Sequence, residues 1–151
     1  MKILMVCLGN ICRSPLAEGI LQEKLKSNGH DIIVDSAGTG GWHVGQSPDN
    51  RSVAIARKYG IDISRQKARQ FSVSDFQDFD IIYAMDGSNL SDIISMASTK
   101  EDIGKVKLIL NEIKPGLNTP VPDPYYGGND GFENVYQLLN EACEIITNKI
   151  Q

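Results

Sequence analysis

The chain opens on an unbroken apolar stretch, KILMVC from Lys2 to Cys7, as expected of a strand buried on both faces. After a short turn, Leu16, Ile20, Leu21 and Leu25 recur at helical spacing, and Gly29 is placed to stop that helix. DIIVDSAG, Asp31 to Gly38, predicts a second strand that runs into the glycine-rich loop GTGGWHVG. Pro48 then opens a helix over Asp49–Tyr59, with Val53, Ala54 and Ala56 as small inward-facing candidates. DIIYAMD, Asp80 to Asp86, predicts a third buried strand, followed by a helix from Ser88 to Ala97, and VKLIL, Val106 to Leu110, a fourth. A proline-rich loop, Asn111 to Asn129, leads into a terminal helix from Gly131 to Lys149. Strand alternating with helix implies an α/β fold: one three-layer domain over residues 1–151, its four-stranded parallel sheet covered by helices on both faces. No internal repeat, linker or second domain interrupts the pattern.

Ligands of such sheets bind outside the carboxyl ends of the strands. The turn after Cys7, Ser36 near the end of strand two and Asp86 at the end of strand three all fall on that edge.

Composition adds little to this picture. At 151 residues, with 41% hydrophobic and 23% charged positions, the chain can bury a full core and is not a disordered one. Its formal charge of -4, without a long Lys/Arg run or a basic stripe interleaved with aromatics, argues against a nucleic-acid partner. The basic positions Arg51, Arg57, Lys58, Arg65, Lys67 and Arg69 read first as a solvated helix face and loop. The N-terminal apolar run is too short for a signal or membrane-spanning segment, so a cytoplasmic location with reduced thiols is expected, and no membrane insertion.

The chemistry concentrates in VCLGNICRSP, Val6 to Pro15, where Cys7 and Cys12 lie five apart and Arg13 follows the second. A disulfide, a metal clip and an anion-binding nucleophile all start from such a pattern. Three cysteines cannot all pair, and the other metal-ligating candidates, Cys143, His30 and His43, are scattered, so no metal is expected. A glycine-containing strand-to-helix turn aims backbone N–H groups inward and adds the positive end of the helix dipole, which makes an anion cradle. Arg13 adds a planar fork matched to two phosphate oxygens. Cys7 sits on the floor of the cradle, where those dipoles and Arg13 favour a thiolate, and Ser14 is placed to hydrogen-bond its sulfur. The bland alternative, a small buried thiol at a strand end, stays open for Cys7 and more so for Cys12.

A thiolate that displaces an oxygen leaving group from a bound phosphate ester works faster with a proton donor nearby. Asp123 stands out in VPDPYYGG, held between Pro122 and Pro124 and followed by Tyr125 and Tyr126, although a turn aspartate that caps its own backbone would look the same. Trp42, the only tryptophan, lies in a glycine-rich loop and reads either as a core plug or as a substrate contact.

Cys7-Leu8-Gly9-Asn10-Ile11-Cys12-Arg13-Ser14-Pro15 resembles the signature of low-molecular-weight protein tyrosine phosphatases. DSAGTGGWHVGQSPD, YAMDGSNL and PDPYYGG resemble, in order, the family's second-strand loop, third strand with its helix, and acid loop. The resemblance implies hydrolysis of phosphotyrosine through a phosphocysteine on Cys7. Leu8 to Ser14 would form the phosphate loop, Arg13 would bind phosphate, and Asp123 would serve as general acid and then base. It implies that Trp42, Tyr125 and Tyr126 wall the ring pocket, that Asn10 and Ser36 brace the loop, and that Cys12 is a redox partner for Cys7. It also implies no cofactor, phosphotyrosine proteins as partners (a tyrosine kinase among the candidates), and a monomer or weak dimer. Two departures matter. Gln66 stands where the family often has His, so the bracing network is expected to differ. Ile11 stands where related protein-arginine phosphatases carry Thr, which favours tyrosine. An arsenate reductase of the same fold would need further cysteines after strand three, which are missing, and a non-catalytic binding module would be expected to lack Cys7 or Asp123.

Overall fold

The computed structural model describes residues 1–125 and 129–150. Four parallel strands, β1 (Lys2–Cys7), β2 (Ile33–Gly38), β3 (Ile81–Ala84) and β4 (Val106–Leu108), form a sheet in the order β2-β1-β3-β4. Strand β1 is central, pairing Cys7 with Gly38 on one side and Val6 with Ala84 on the other. That position explains its unbroken apolar sequence, since both faces are covered. Ile3, Met5 and Cys7 point into one core layer with Leu16, Ile20, Leu21 and Leu25 of α1 (Arg13–Ser27) and with Leu139, Cys143 and Ile146 of the terminal helix. Leu4 and Val6 point the other way, against Phe71, Phe76, Phe79 and Ile93. Each such aliphatic side chain, fully withdrawn from water, stabilises the fold by about 2 kcal/mol.

The remaining helices are α2 (Asn50–Lys58), α3 (Asp75–Asp78), α4 (Gly87–Ser95), α5 (Lys100–Gly104) and α6 (Asn129–Lys149). The expected elements are all present, with shifted ends. Strand β2 starts at Ile33 rather than Asp31, and β3 stops at Ala84 because Asp86 caps α4, its carboxylate accepting from Asn89 N at 2.8 Å. The fourth strand ends at Leu108 and tightens into a 3-10 turn, Ile109–Glu112. Helices α3 and α5 were not expected, being too short and polar to show an apolar period. Helix α1 ends at Ser27, and the chain reverses at Gly29, whose φ of 77° lies in the left-handed region that glycine adopts freely. Among the described residues no helix is long and apolar enough to cross a membrane.

Candidate active site

The loop from Leu8 to Cys12 joins the buried end of β1 to the N-terminus of α1, so the chain must curl there within a few residues. Its carbonyls are taken up from outside the curl. Thr39 N donates to Cys7 O and Gly40 N to Leu8 O, each at 2.9 Å, Asp49 N donates to Ile11 O at 2.8 Å, and Ser52 Oγ to Cys12 O at 3.0 Å. In a planar trans peptide the N–H points opposite to the carbonyl, so Leu8, Gly9, Cys12 and Arg13 turn their N–H groups toward the centre of the curl. A side chain at Gly38 would stand 2.7 Å from Leu8 O, so glycine there lets Thr39 and Gly40, just past β2, donate at close range.

Cys7 Sγ lies on the floor of the curl, buried, with Ser14 Oγ at 3.0 Å and the N–H of Asn10 at 3.3 Å. Asn10 holds a left-handed backbone (φ 57°), which asparagine tolerates better than most side chains. Its amide fixes the turn from three sides: Nδ2 donates to Ser14 Oγ at 2.8 Å and to Ser36 Oγ at 3.0 Å, while Oδ1 accepts from Arg69 N at 3.0 Å. Ser36 in turn donates to Glu18 Oε1 at 2.7 Å. With both Asn10 amide protons committed, the Ser14 hydroxyl proton is left for the sulfur or for Ala37 O, 3.4 Å away. Burial pushes the Glu18 carboxyl up to about 7 against the pull of its Ser36 hydrogen bond. Gln66 does not join this network. Its amide donates to Pro15 O at 3.0 Å, and backbone N–H of Arg69 serves Asn10.

Arg13 is only 3% exposed, and one end of its guanidinium is held from behind the curl. Nη1 donates to Asp86 Oδ2 at 2.7 Å and to Val121 O at 3.0 Å, and Nη2 stands 3.7 Å from Asp123 Oδ2. Asp86 thus orients the arginine and caps α4 at once. Its place on the ligand-binding edge is legible in the sequence, but nothing there signals the pairing beyond an acid ending a buried strand.

The Asp123 side chain is 39% exposed: its Oδ1 accepts from Tyr125 N at 3.1 Å, as a turn aspartate does, while Oδ2 faces Arg13. Cys7, Cys12 and Arg13 line a cleft of about 360 Å³ whose walls come from the loop after β2, through Trp42 and His43, and from the acid loop, through Asp123 and Tyr125. Leu8, Gly9 and Ile11 complete the lining. Trp42 is 72% exposed, so it is no core plug but part of the rim. His43, whose Nδ1 pairs with Gln46 Oε1 at 3.0 Å, reads from sequence only as a stray metal-ligand candidate, and nothing in the local pattern marks it for this wall. Tyr126 lies outside the described residues.

Cys7 and Cys12 are both free and buried, as is Cys143. Burial, reinforced by the negative charges of Asp49 and Asp123, pushes the Cys12 thiol up to about 12, so it stays protonated at neutral pH. Cys143 sits in the core as expected from its spacing, and burial alone raises it to about 12.

At the end of β1 a buried thiol thus lies in a curl of backbone N–H groups, beside a buried arginine and a facing aspartate. The low molecular weight phosphotyrosine protein phosphatase family matches residues 2–151, and the chain belongs to it. It is 43% identical over 152 residues to the low molecular weight protein-tyrosine-phosphatase YfkJ of Bacillus subtilis, covering 99% of this chain and 96% of that protein. The crystal structure of YfkJ superposes with a TM-score of 0.92 over 100% of this chain and 94% of its own. A protein tyrosine phosphatase from Entamoeba histolytica is similar at 37% identity and a TM-score of 0.93, covering 99% and 96% of the two chains. A Drosophila arginine phosphatase is similar at 36% identity and 0.92, covering 100% and 98%.

Proposed function

We propose that residues 1–151 form one phosphatase unit that hydrolyses phosphotyrosine in proteins through a phosphocysteine. The phosphate dianion sits in the curl, its charge met by the inward N–H groups and by Arg13, already aimed by Asp86. Cys7 Sγ attacks phosphorus as the bond to the phenolic oxygen breaks, and Asp123 gives its proton to that oxygen, so tyrosine leaves neutral. Ser14 then hydrogen-bonds the sulfur as a leaving group. In the second half Asp123, now a carboxylate, takes a proton from water as the water oxygen attacks phosphorus. The S–P bond breaks, the thiolate returns, and inorganic phosphate is released. Fixed donors placed around the developing charge supply most of the acceleration.

The observation that carries this reading is the arrangement of Cys7 Sγ between Ser14 Oγ and the Asn10 N–H, at the floor of a cleft whose mouth holds Arg13 and Asp123 3.7 Å apart. It is tested by para-nitrophenyl phosphate hydrolysis across pH, with and without chelator, in wild type, Cys7→Ser and Asp123→Ala. A chelator-insensitive, bell-shaped profile that the first change abolishes supports the mechanism, and no turnover by the reduced wild type would sink it.

Likeness to the Drosophila arginine phosphatase raises phosphoarginine as a second substrate class. Ile11 puts methyl groups on the cleft wall, which suit an aromatic ring and offer a guanidino group no hydrogen bond. Phosphotyrosine peptides should therefore turn over faster than phosphoarginine peptides at equal concentration. The reading extends to a cytoplasmic, reducing setting, in which peroxide would oxidise Cys7 to a sulfenic acid. The Cys12 thiol would then condense with it, releasing water and leaving a disulfide that thiols reduce.

A further inference from the structure

We propose that Arg51, at the start of α2, is a positioning residue: it ties the acid loop to the phosphate loop and thereby sets where Asp123 stands above Cys7. The proposal rests on the reading of Asp123 as the proton donor.

One guanidinium meets three elements. Its Nε and Nη2 grip the Asp49 carboxylate at 3.0 Å and 3.1 Å, and Nη2 also donates to Tyr125 O at 3.0 Å, two residues past Asp123. The cation lies over the ring of Phe132, on α6, at 4.6 Å and over that of Tyr125 at 5.7 Å. Such a planar group, bonded along its edge and stacked on its faces, has little freedom left. Its anchor is itself fixed to the phosphate loop, because Asp49 N donates to Ile11 O and Ser52 Oγ to Cys12 O. The same four-residue segment therefore turns the nucleophile loop's carbonyls outward and holds the backbone of the acid loop. Arg51 also draws the Asp49 carboxyl below its usual value, which favours the charged form of the anchor.

The acid needs such a tether. Asp123 is exposed, its bond to Tyr125 N lies within its own turn, and its approach to Arg13 is 3.7 Å, longer than a hydrogen bond. A donor displaced by about an ångström can lose two orders of magnitude in rate. The Asp49 helix cap does not depend on the Arg51 side chain, since its Oδ1 accepts from the backbone N of residue 51 at 2.8 Å. Replacing the side chain should thus release the acid loop and leave the phosphate loop intact.

The test compares kcat/KM for phenyl phosphate, a poor leaving group, with that for para-nitrophenyl phosphate, a good one, in wild type, Arg51→Gln, Arg51→Lys and Asp123→Ala. Inhibition by inorganic phosphate is measured alongside. Arg51→Gln should lower the phenyl phosphate value about tenfold and the para-nitrophenyl value less than about threefold, in the same sense as Asp123→Ala but by less. Arg51→Lys, which keeps the charge but not the fork, should fall between, and phosphate inhibition should stay at the wild-type level. The ratio of the two substrates is independent of how much enzyme is folded, so it discriminates even in a destabilised variant. Equal losses on both substrates in Arg51→Gln, beside a discriminating Asp123→Ala, would overturn the tether alone. An Asp123→Ala enzyme that treats both substrates alike would remove the proton-donor reading and the tether with it.

Discussion

The phosphate loop hands its carbonyls to Thr39, Gly40, Asp49 and Ser52 and its side chains to one another, whereas Pro122, Asp123 and Tyr125 of the acid loop are exposed to solvent. On the first side, Asn10, Ser14, Ser36 and Arg13 are all buried and bonded. On the second, prolines on both sides of Asp123 restrict the backbone, and ties to its neighbours, Val121 N to Met85 O at 2.8 Å and Arg51 to Tyr125 O, hold the loop. The proposed chemistry asks for this asymmetry. A nucleophile must sit in fixed dipoles before substrate arrives, while an acid must reach a leaving group that enters and departs.

Removing the centre of the rigid side should do the most damage. Cys7→Ser replaces a thiolate-forming group with a hydroxyl of far lower acidity and should cost about four orders of magnitude or more in kcat/KM for aryl phosphates. Because the cradle survives, inorganic phosphate should still bind, as read by isothermal calorimetry; loss of phosphate binding would mean that the sulfur shapes the loop as well as attacking. Asp123→Ala, on the exposed side, should cost about two to three orders with a poor leaving group and remove the alkaline limb of the kcat/KM profile. Its melting temperature should stay close to wild type, since the side chain has one hydrogen bond within its own turn. A large drop in melting temperature would show that the acid loop is as much a part of the folded frame as the phosphate loop.

A third change probes the joint between the two. Asp86→Asn keeps an acceptor for the α4 cap but leaves the buried Arg13 cation without its counter-charge. Breaking one member of such a pair costs about 3 kcal/mol, or roughly 10 °C in melting temperature for a chain of this size. Arg13 should then swing toward Asp123, raising KM for aryl phosphates more than it lowers kcat. An unchanged KM would mean that Val121 O alone is enough to aim the guanidinium.

How far these features could be read from the chain follows the same division. Strand β1, the phosphate loop and Arg13 were legible because each rests on a local rule: an apolar run, a glycine-bearing turn, an arginine at a helix start. Asp123 was legible from its prolines, but of its two contacts only the bond to Tyr125 N is local, and the approach to Arg13 is brought about by the fold. Asp86 with Arg13, 73 positions apart, and Arg51 with Tyr125, 74 apart, are contacts that no periodicity encodes. The basic stretch containing Arg51 and Arg69 read as a solvated face, and for Lys58, bonded at the surface to Glu133, that is what it is. Arg51 and Arg69 instead brace the site, Arg69 through its backbone N–H to Asn10 and its side chain to Asp35 and Asp75. Gln66, which stands where the family often has His, bonds Pro15 O, and Asn10 Oδ1 is met by the backbone N–H of Arg69, a partner that no sequence pattern marks.

The smallest expected effect tests how finely the rigid side is tuned. Glu18 ends the chain of hydrogen bonds that runs through Ser36, Asn10 and Ser14 to Cys7, and burial raises its carboxyl from the ordinary value of 4.5 to about 7. Asp35 pushes it the same way, and Arg69 opposes both. Between about pH 4.5 and 7 the unfolded chain has released this proton while the folded one keeps it, so stability is highest below that window and falls as pH rises through it. The decrement is on the order of 2 kcal/mol at pH 8, and Glu18→Gln, neutral at every pH and still able to accept from Ser36, should recover most of it. Melting temperature at pH 8 should then rise by about 5 °C over wild type, while at about pH 4.5 the two proteins should melt together. Parallel curves across the whole range would show that Glu18 ionises as freely in the folded protein as in water, and that the network on the nucleophile's side ends at Ser36.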